Sequence, residues 1–326
     1  MTRMTYAQAA CAALRAAMAA DRRVVALGED VGRGGIFGQY RGLQSEFGPG
    51  RVIDTPISES TIMGAAVGMA LAGAKPVVEM RVVDFALCAM DEIVNQAAKA
   101  RFMFGGQGRV PLVARLPIGI WSGSAAQHSQ SFEAWFAHVP GLVVVAPATP
   151  QDNYSLLGAA IACGDPVIYM EHKELWGAQD EVDERASSGE LGKARIVREG
   201  SDITLVTWSR ALQSSLEAAE AAAGRGISVE VIDLRTIWPW DRDAVFASAS
   251  KTGRLLVVHE SIQAAGFGAE IAATVAEHLP VRVKRLGGPR VPVGYSKPLE
   301  DEARFGTQAV LEKLTEFAAE ADRRKT

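Results

Sequence analysis

The sequence predicts a two-domain α/β protein built on parallel sheets, and three observations carry that expectation. Short β-branched runs alternate with alanine-rich helical stretches almost from end to end of the 326 residues, the pattern of parallel strands with helices packed on both faces. Each strand candidate of the first half is separated from the next by a long connection, which permits crossovers and argues against hairpins. The length suits two domains of ordinary size at about 150 residues each. With 48% hydrophobic and 22% charged residues, the chain can bury a sizeable core, and disorder is excluded.

In chain order, strands are expected at 24–27, 76–80, 110–115, 142–146 and 166–171, with helices at 5–20, 61–72, 88–104, 132–138 and 150–163. From 172 to 200 the sequence turns polar and charged without apolar periodicity, which reads as an interdomain connection. A second set follows, with strands at 203–207, 228–234, 255–259 and 281–286 and helices at 211–223, 243–249 and 269–279. The expected organisation is therefore a domain at 1–175, a linker at 176–200 and a second domain at 201–326.

Charge and cysteine content narrow the function. Lys and Arg number 34 against 38 Asp and Glu, a net charge of −4, so no extended basic surface is available and neither nucleic acid nor an anionic membrane is expected as a partner. No apolar stretch approaches the ~20 residues that span a bilayer. Cys11, Cys88 and Cys163 form no C-x-x-C pair, which indicates neither a disulfide framework nor zinc and suits a reducing compartment. The alanine-rich start has some features of a targeting segment, but Arg15 interrupts it, and a helix packed on the domain is the plainer reading. A cytoplasmic location is expected.

Several motifs bear on chemistry. Gly32, Gly34 and Gly38 follow the first strand in a G-x-G-x-x-x-G spacing, yet no helix opens directly after them to aim N–H groups at a pyrophosphate, so the dinucleotide-binding match is weak. The P-loop pattern is absent. Glu59 closes the run Asp54-Thr55-Pro56-Ile57-Ser58-Glu59 ahead of an apolar helix, where an acid is also favoured by the helix dipole alone. Gly64 and Gly68 lie one turn apart on that helix and permit close approach of another helix, within the domain or across a subunit interface. His128 stands in the polar loop 122–131, where a lone histidine is more often a solvated or capping group than a catalyst. Ser129 and Ser131 lack a G-x-S-x-G elbow, and the five histidines include no H-E-x-x-H pair.

Taken together, the segments Leu27-Gly28-Glu29-Asp30-Val31, Gly48 to Gly68 with Asp54 to Glu59 at its centre, Val83-Asp84-Phe85 and Asn95-Gln96-Ala97-Ala98-Lys99 resemble a known family. So do Gln127-His128-Ser129-Gln130, Ala137-His138-Val139-Pro140-Gly141-Leu142, Asp233-Leu234-Arg235-Thr236-Ile237, Lys251-Thr252-Gly253-Arg254-Leu255 and Gly266-Phe267-Gly268-Ala269-Glu270. The family is the β subunit of the thiamine-diphosphate-dependent first component of 2-oxo acid (pyruvate or branched-chain) and acetoin dehydrogenase complexes. The resemblance covers nearly the whole chain in one order. It implies a transketolase-like fold, a parallel-sheet pyrimidine-binding domain followed by a transketolase C-terminal domain.

It also implies roles. Glu59 matches the glutamate that hydrogen-bonds the aminopyrimidine and promotes the imino tautomer whose nitrogen deprotonates the thiazolium, a task for a carboxyl buried in an apolar site. Phe85 matches the aromatic that packs on that ring, with Ile57 nearby, and His128 the active-site histidine near the reacting carbons, a proton donor or a guide for acyl transfer to a lipoyl arm. No G-D-G segment followed roughly 25 to 30 residues later by Asn-Asn occurs, so by resemblance the magnesium-bridged diphosphate is held by a separate α subunit in an α2β2 heterotetramer. Gly64 and Gly68 would then lie at an intersubunit contact. The segment with Ala160, Ile161, Cys163 and Asp165 matches a main-chain site for a monovalent cation such as potassium, with Cys163 where an aspartate is frequent. The second domain would form contacts between β subunits and dock the lipoyl acyltransferase core. Substrate stays open: Gly35-Ile36-Phe37 and Glu230-Val231-Ile232-Asp233 lean toward branched-chain relatives, Val83-Asp84-Phe85 and Met103-Phe104-Gly105-Gly106 toward acetoin relatives. Two other readings are a split transketolase acting on sugar phosphates and a non-catalytic scaffold of the same fold. The first lacks basic groups other than His128 between Trp121 and Gln130, and the second has no need of both Glu59 and His128.

Overall fold

The computed structural model describes residues 1–186 and 189–322. Ser187 and Ser188 of the expected linker, and the last four residues of the expected second domain, lie outside the described residues. The chain divides into two units, Met1–Ile118 with Trp135–Leu191, and Gly119–Ala134 with Gly192 onward. The segment bearing His128 thus groups with the second unit.

The first unit contains β1 (Thr2–Thr5), α1 (Tyr6–Ala20), β2 (Val24–Gly28), α2 (Leu43–Phe47), β3 (Val52–Asp54), α3 (Glu59–Leu71), β4 (Lys75–Glu79), α4 (Ala98–Met103) and β5 (Val113–Arg115). After α5 (Glu133–Ala137) it continues with β6 (Val143–Val145), α6 (Pro150–Ala162), β7 (Val167–Tyr169) and β8 (Gln179–Val182). Six of its strands run parallel in the order β6-β7-β5-β4-β2-β3. Every residue of β2 is buried, as expected of a parallel strand covered on both faces. Helix α1 starts where Thr5 and Gln8 form a reciprocal capping box. It seats Leu14 and Met18 in one core with Leu156, Leu157 and Ile161 of α6, so the N-terminal stretch is a packed helix.

Two expectations need correction. The segment 88–104 is not one helix. A 3-10 segment, Val83–Ala89, is followed by a π-helical turn, Glu92–Ala97, and only then by α4. The wide turn lets Asn95 (2.7 Å) and Gln96 (3.3 Å) both reach the Asp91 carboxylate, a polar competition that helical periodicity does not register. The segment 172–200 also carries strands. Strand β8 pairs antiparallel with β1, and β9 (Arg195–Arg198) pairs antiparallel with β11 (Val229–Asp233). Both are short edge strands; in β8 only Val182 is buried, which leaves no apolar alternation to read.

The second unit adds β10 (Ile203–Thr207), α7 (Ala211–Ala223), β12 (Thr236–Trp238), α8 (Arg242–Thr252), β13 (Arg254–Ile262), α9 (Gly268–His278) and β14 (Arg282–Gly288). Its sheet has the order β14-β13-β10-β11-β9, parallel but for the edge strand β9. Helices α10 (Lys297–Glu302) and α11 (Thr307–Asp322) follow, beyond the last element expected from sequence. Trp208 stacks on His259 at 5.1 Å between ring centroids, and burial pushes that imidazole down to about 4; it is a neutral core group. Among the described residues no helix is long and apolar enough to cross a membrane.

A polar cluster sits inside the first unit. Gly28, Glu79, Arg115 and Tyr169 occupy one cross-strand row at the carboxyl ends of β2, β4, β5 and β7. Arg115 makes two 2.8 Å hydrogen bonds to Glu171, both side chains fully buried, and stacks over the Tyr40 ring at 4.9 Å. Asn153 donates to Glu171 (3.0 Å) and accepts from the Tyr169 hydroxyl (2.9 Å). Glu79 lies beside Tyr40 and Gln39 without a hydrogen bond of ordinary geometry among the described residues. Burial pushes its carboxyl from the usual 4.5 up to about 7; Arg115 opposes the rise and Glu171 adds to it.

The sign of the linkage follows. A carboxyl that holds its proton more tightly when folded contributes stability that is present below pH 4.5 and is lost as pH rises through about 7. Glu79→Gln removes that loss. Its stability relative to wild type should improve by roughly 1–3 kcal/mol between pH 5 and pH 8, read from urea melts at the two pH values. Parallel melts at both would show that Glu79 does not titrate in the folded chain.

Candidate functional site

Three adjacent parallel strands deliver the candidate site residues to one place. Beyond the carboxyl end of β2 come Glu29 and Asp30; beyond β3 come Thr55, Pro56 and Ile57, leading to Glu59 as the first residue of α3; beyond β4 come Arg81 and, in the following 3-10 segment, Phe85. Together these eight residues line a recess of about 440 Å³. Ligands of open α/β sheets bind outside the carboxyl ends of the strands, and the recess occupies that position. Gly28 permits the approach of its walls: its φ is +148°, and a Cβ there would meet the Glu79 carbonyl oxygen at 2.5 Å.

The recess is apolar on one side and acidic on the other. Ile57 is 77% exposed, an aliphatic side chain standing uncovered in the opening, and Phe85 is half-buried. Glu59 is half-buried too, less enclosed in the single chain than its implied chemistry requires. Asp30 and Arg81 both adopt left-handed backbone, φ +57° and +54°, a conformation that costs non-glycine residues about 1–2 kcal/mol. Their side chains form a 2.8 Å ion pair that fixes two of the recess walls to each other. Glu29 is held above the usual carboxylate range, first by burial and also by the negative charges of Glu59 and Asp30, with Arg81 opposing. Sequence reasoning assigned no role to Glu29, Asp30 or Arg81, although the first two fall directly after the strand.

The other sequence candidates lie elsewhere. His128 is exposed on the loop of the second unit. Ala160 and Ile161 are buried in the last turn of α6, and the Cys163 N–H donates to the carbonyls of Ala159 (2.9 Å) and Ala160 (3.2 Å). Asp165 is engaged by Arg101 at 2.6 Å. These residues do not line the recess, and the described residues include no cluster of three or more His, Cys, Asp or Glu able to hold a metal. Gly64 and Gly68 are exposed on α3; among the described residues a Cβ at Gly68 would meet nothing within 4 Å and one at Gly64 only the Glu92 Cγ at an ordinary 3.7 Å, so neither glycine is required by tight packing there.

Residues 2–178 match the transketolase pyrimidine-binding domain family and residues 192–310 the transketolase C-terminal domain family. The fold and site therefore define a two-domain transketolase-like chain. A solved split-gene transketolase, an inactive β4 tetramer, shares the fold at a TM-score of 0.79 over 96% of this chain and 97% of that one, at 20% identity. Closer likeness comes from three relatives. Pyruvate dehydrogenase E1 component subunit beta-1 of Arabidopsis thaliana is 44% identical, over 91% of this chain and 84% of its own. The 2-oxoisovalerate dehydrogenase subunit beta of Bacillus subtilis is 40% identical over 97% and 100%. The acetoin:2,6-dichlorophenolindophenol oxidoreductase subunit beta of Cupriavidus necator is 42% identical over 87% and 88%. The chain belongs to the family of β subunits of these 2-oxo acid and acetoin dehydrogenase components.

The electrostatics of the recess are testable directly. Arg81→Met removes the cation that opposes the rise of Glu29, so Glu29 should titrate at higher pH than in the wild type. Carbon-detected NMR of glutamate-labelled protein reads that midpoint, and an unmoved or lowered one would contradict the assignment.

Proposed function

We propose that the chain is the β half of a thiamine-diphosphate-dependent dehydrogenase component that decarboxylates a 2-oxo acid, pyruvate or branched-chain, or cleaves acetoin, and passes the acyl group to lipoamide. The observation that supports it best is the charge of the recess. Glu29, Asp30 and Glu59 face one cation, Arg81, which is already paired with Asp30. Such a surface suits the amino and ring nitrogens of an aminopyrimidine and repels a diphosphate. The residues therefore fit the ring end of the coenzyme, while its charged tail and magnesium belong on an α subunit.

When bound, the coenzyme supplies the electron sink. Glu59, at the start of α3, would hydrogen-bond the pyrimidine nitrogen and move a proton at that atom, with a partner subunit over the recess adding the burial that the chain alone does not give it. Phe85 would pack on the ring, with Ile57 beside it in the recess. His128 would guide the acyl group during transfer to the lipoyl arm. Potassium, if held, would rest on main-chain oxygens at Ile161 and Cys163, where the negative end of the α6 dipole favours a cation and Arg101 draws Asp165 aside.

The assembly in this reading is an α2β2 heterotetramer in the cytoplasm. The open Gly64 and Gly68 face of α3 meets another subunit, and the second domain contacts the second β subunit and the lipoyl acyltransferase core. The sugar-phosphate alternative draws on a structure whose likeness is one of fold.

Co-expression with an α subunit, followed by assay of pyruvate, branched-chain 2-oxo acids and acetoin with an artificial electron acceptor, tests the reading. Activity should require both chains, and turnover by this chain alone would overturn the split site. In the assembled enzyme Glu59→Gln should lower turnover by ~10²–10⁴-fold with melting unchanged; wild-type turnover would remove Glu59 from its role.

A further inference from the structure

The loop that carries His128 is held by acidic side chains of its own unit. Its base closes where the Gly119 N–H donates to the Gln130 carbonyl at 3.1 Å. Glu260 on β13 accepts the Ile120 N–H at 3.0 Å, and Glu300 on α10 accepts the Gly123 N–H at 2.5 Å. At the far end the Trp208 indole donates to Glu133 at 3.1 Å. Glu300 is 1% exposed. A carboxylate that deep is retained only with donors aimed at it, and a main-chain N–H facing an anion makes one of the stronger hydrogen bonds of proteins.

The loop between these anchors is strained. Ser122 and Ala125 have φ of +47° and +57°, with Gly123 between them at +68°. Gly123 passes so near Tyr295 that a Cβ would lie 3.3 Å from its carbonyl oxygen. Non-glycine residues hold left-handed backbone only where the surroundings over-determine it, and Glu300 grips the residue between the two strained ones.

We propose that Glu300, supported by Glu260, is a positioning residue for His128: it holds the loop in the one strained conformation that presents the imidazole for acyl transfer. This rests on the role given to His128 above and adds the part of the second unit that enforces it. Glu300 then serves the transfer step without touching a substrate.

Hydrogen exchange on the purified chain tests the grip independently of activity. In Glu300→Ala the Gly123 amide should exchange at least about tenfold faster, with β13 and α7 unchanged, and Glu300→Gln, which keeps an acceptor oxygen, should fall between. Unchanged exchange across Gly119–Ala134 in both variants would overturn the proposal. In the enzyme assembled with an α subunit, reductive acylation of an isolated lipoyl domain should lose about 10- to 100-fold in kcat for Glu300→Ala. Dye-linked turnover of the same substrate should hold within about twofold, Glu300→Gln should recover most of the transfer, and Glu302→Ala, an exposed neighbour on α10, should match wild type. Equal loss of both reactions would mark Glu300 as merely structural and overturn the proposal. His128→Ala run alongside separates the two claims. If it transfers normally, the role of His128 fails; if it is impaired while Glu300→Ala transfers normally, only the positioning fails.

Discussion

The buried Arg115–Glu171 pair is the constraint around which the first unit is arranged. Two fully buried charges at the carboxyl ends of parallel strands are tolerable only with complete hydrogen-bond geometry, and loss of one partner leaves an uncompensated charge at a cost of about 3–5 kcal/mol. The bidentate contact fixes β5 against the stretch after β7. Asn153 brings α6 into the same network, and the Tyr40 ring brings in the glycine-bearing loop after β2. Glu79, in register with Arg115, carries that rigidity to β4 and so to Arg81, two residues on. The glycine-rich stretch, only a weak match to a dinucleotide-binding turn, thus delivers an aromatic ring to a buried guanidinium.

Such a foundation explains why the recess tolerates strain. Asp30 and Arg81 hold unfavourable backbone angles because the strands beneath them are locked in register and their own ion pair ties the two walls. The resulting surface combines a cluster of acids with uncovered apolar side chains, the combination on which the proposed binding of a flat, weakly basic heteroaromatic ring rests.

Much of this architecture was legible because parallel strands and their helices declare themselves through burial. The runs at β2, β4, β10 and β13 and the helices α1, α6 and α7 fall where periodicity puts them. What escaped was held by backbone pairing or by polar side chains. Strands β1 and β8 pair through main-chain groups with most side chains exposed, and the π turn at Glu92–Ala97 serves two amides reaching one carboxylate. Within the site, Ile57, Glu59 and Phe85 were named from a family pattern, and the structure places all three on one recess. Glu29 and Arg81 were missed because their significance lies in proximity across strands, as does that of Glu300, which is 177 residues from the amide it holds.

Ile57 carries a thermodynamic consequence. An aliphatic group left 77% exposed in the recess would, in the proposed assembly, gain most of its burial only with the ring and the facing subunit both present. Coenzyme and partner would then tighten one another by the same factor, since coupling free energies are reciprocal. On that reading vitamin supply and subunit supply are two handles on a single equilibrium, and scarcity of either would loosen the grip on the other.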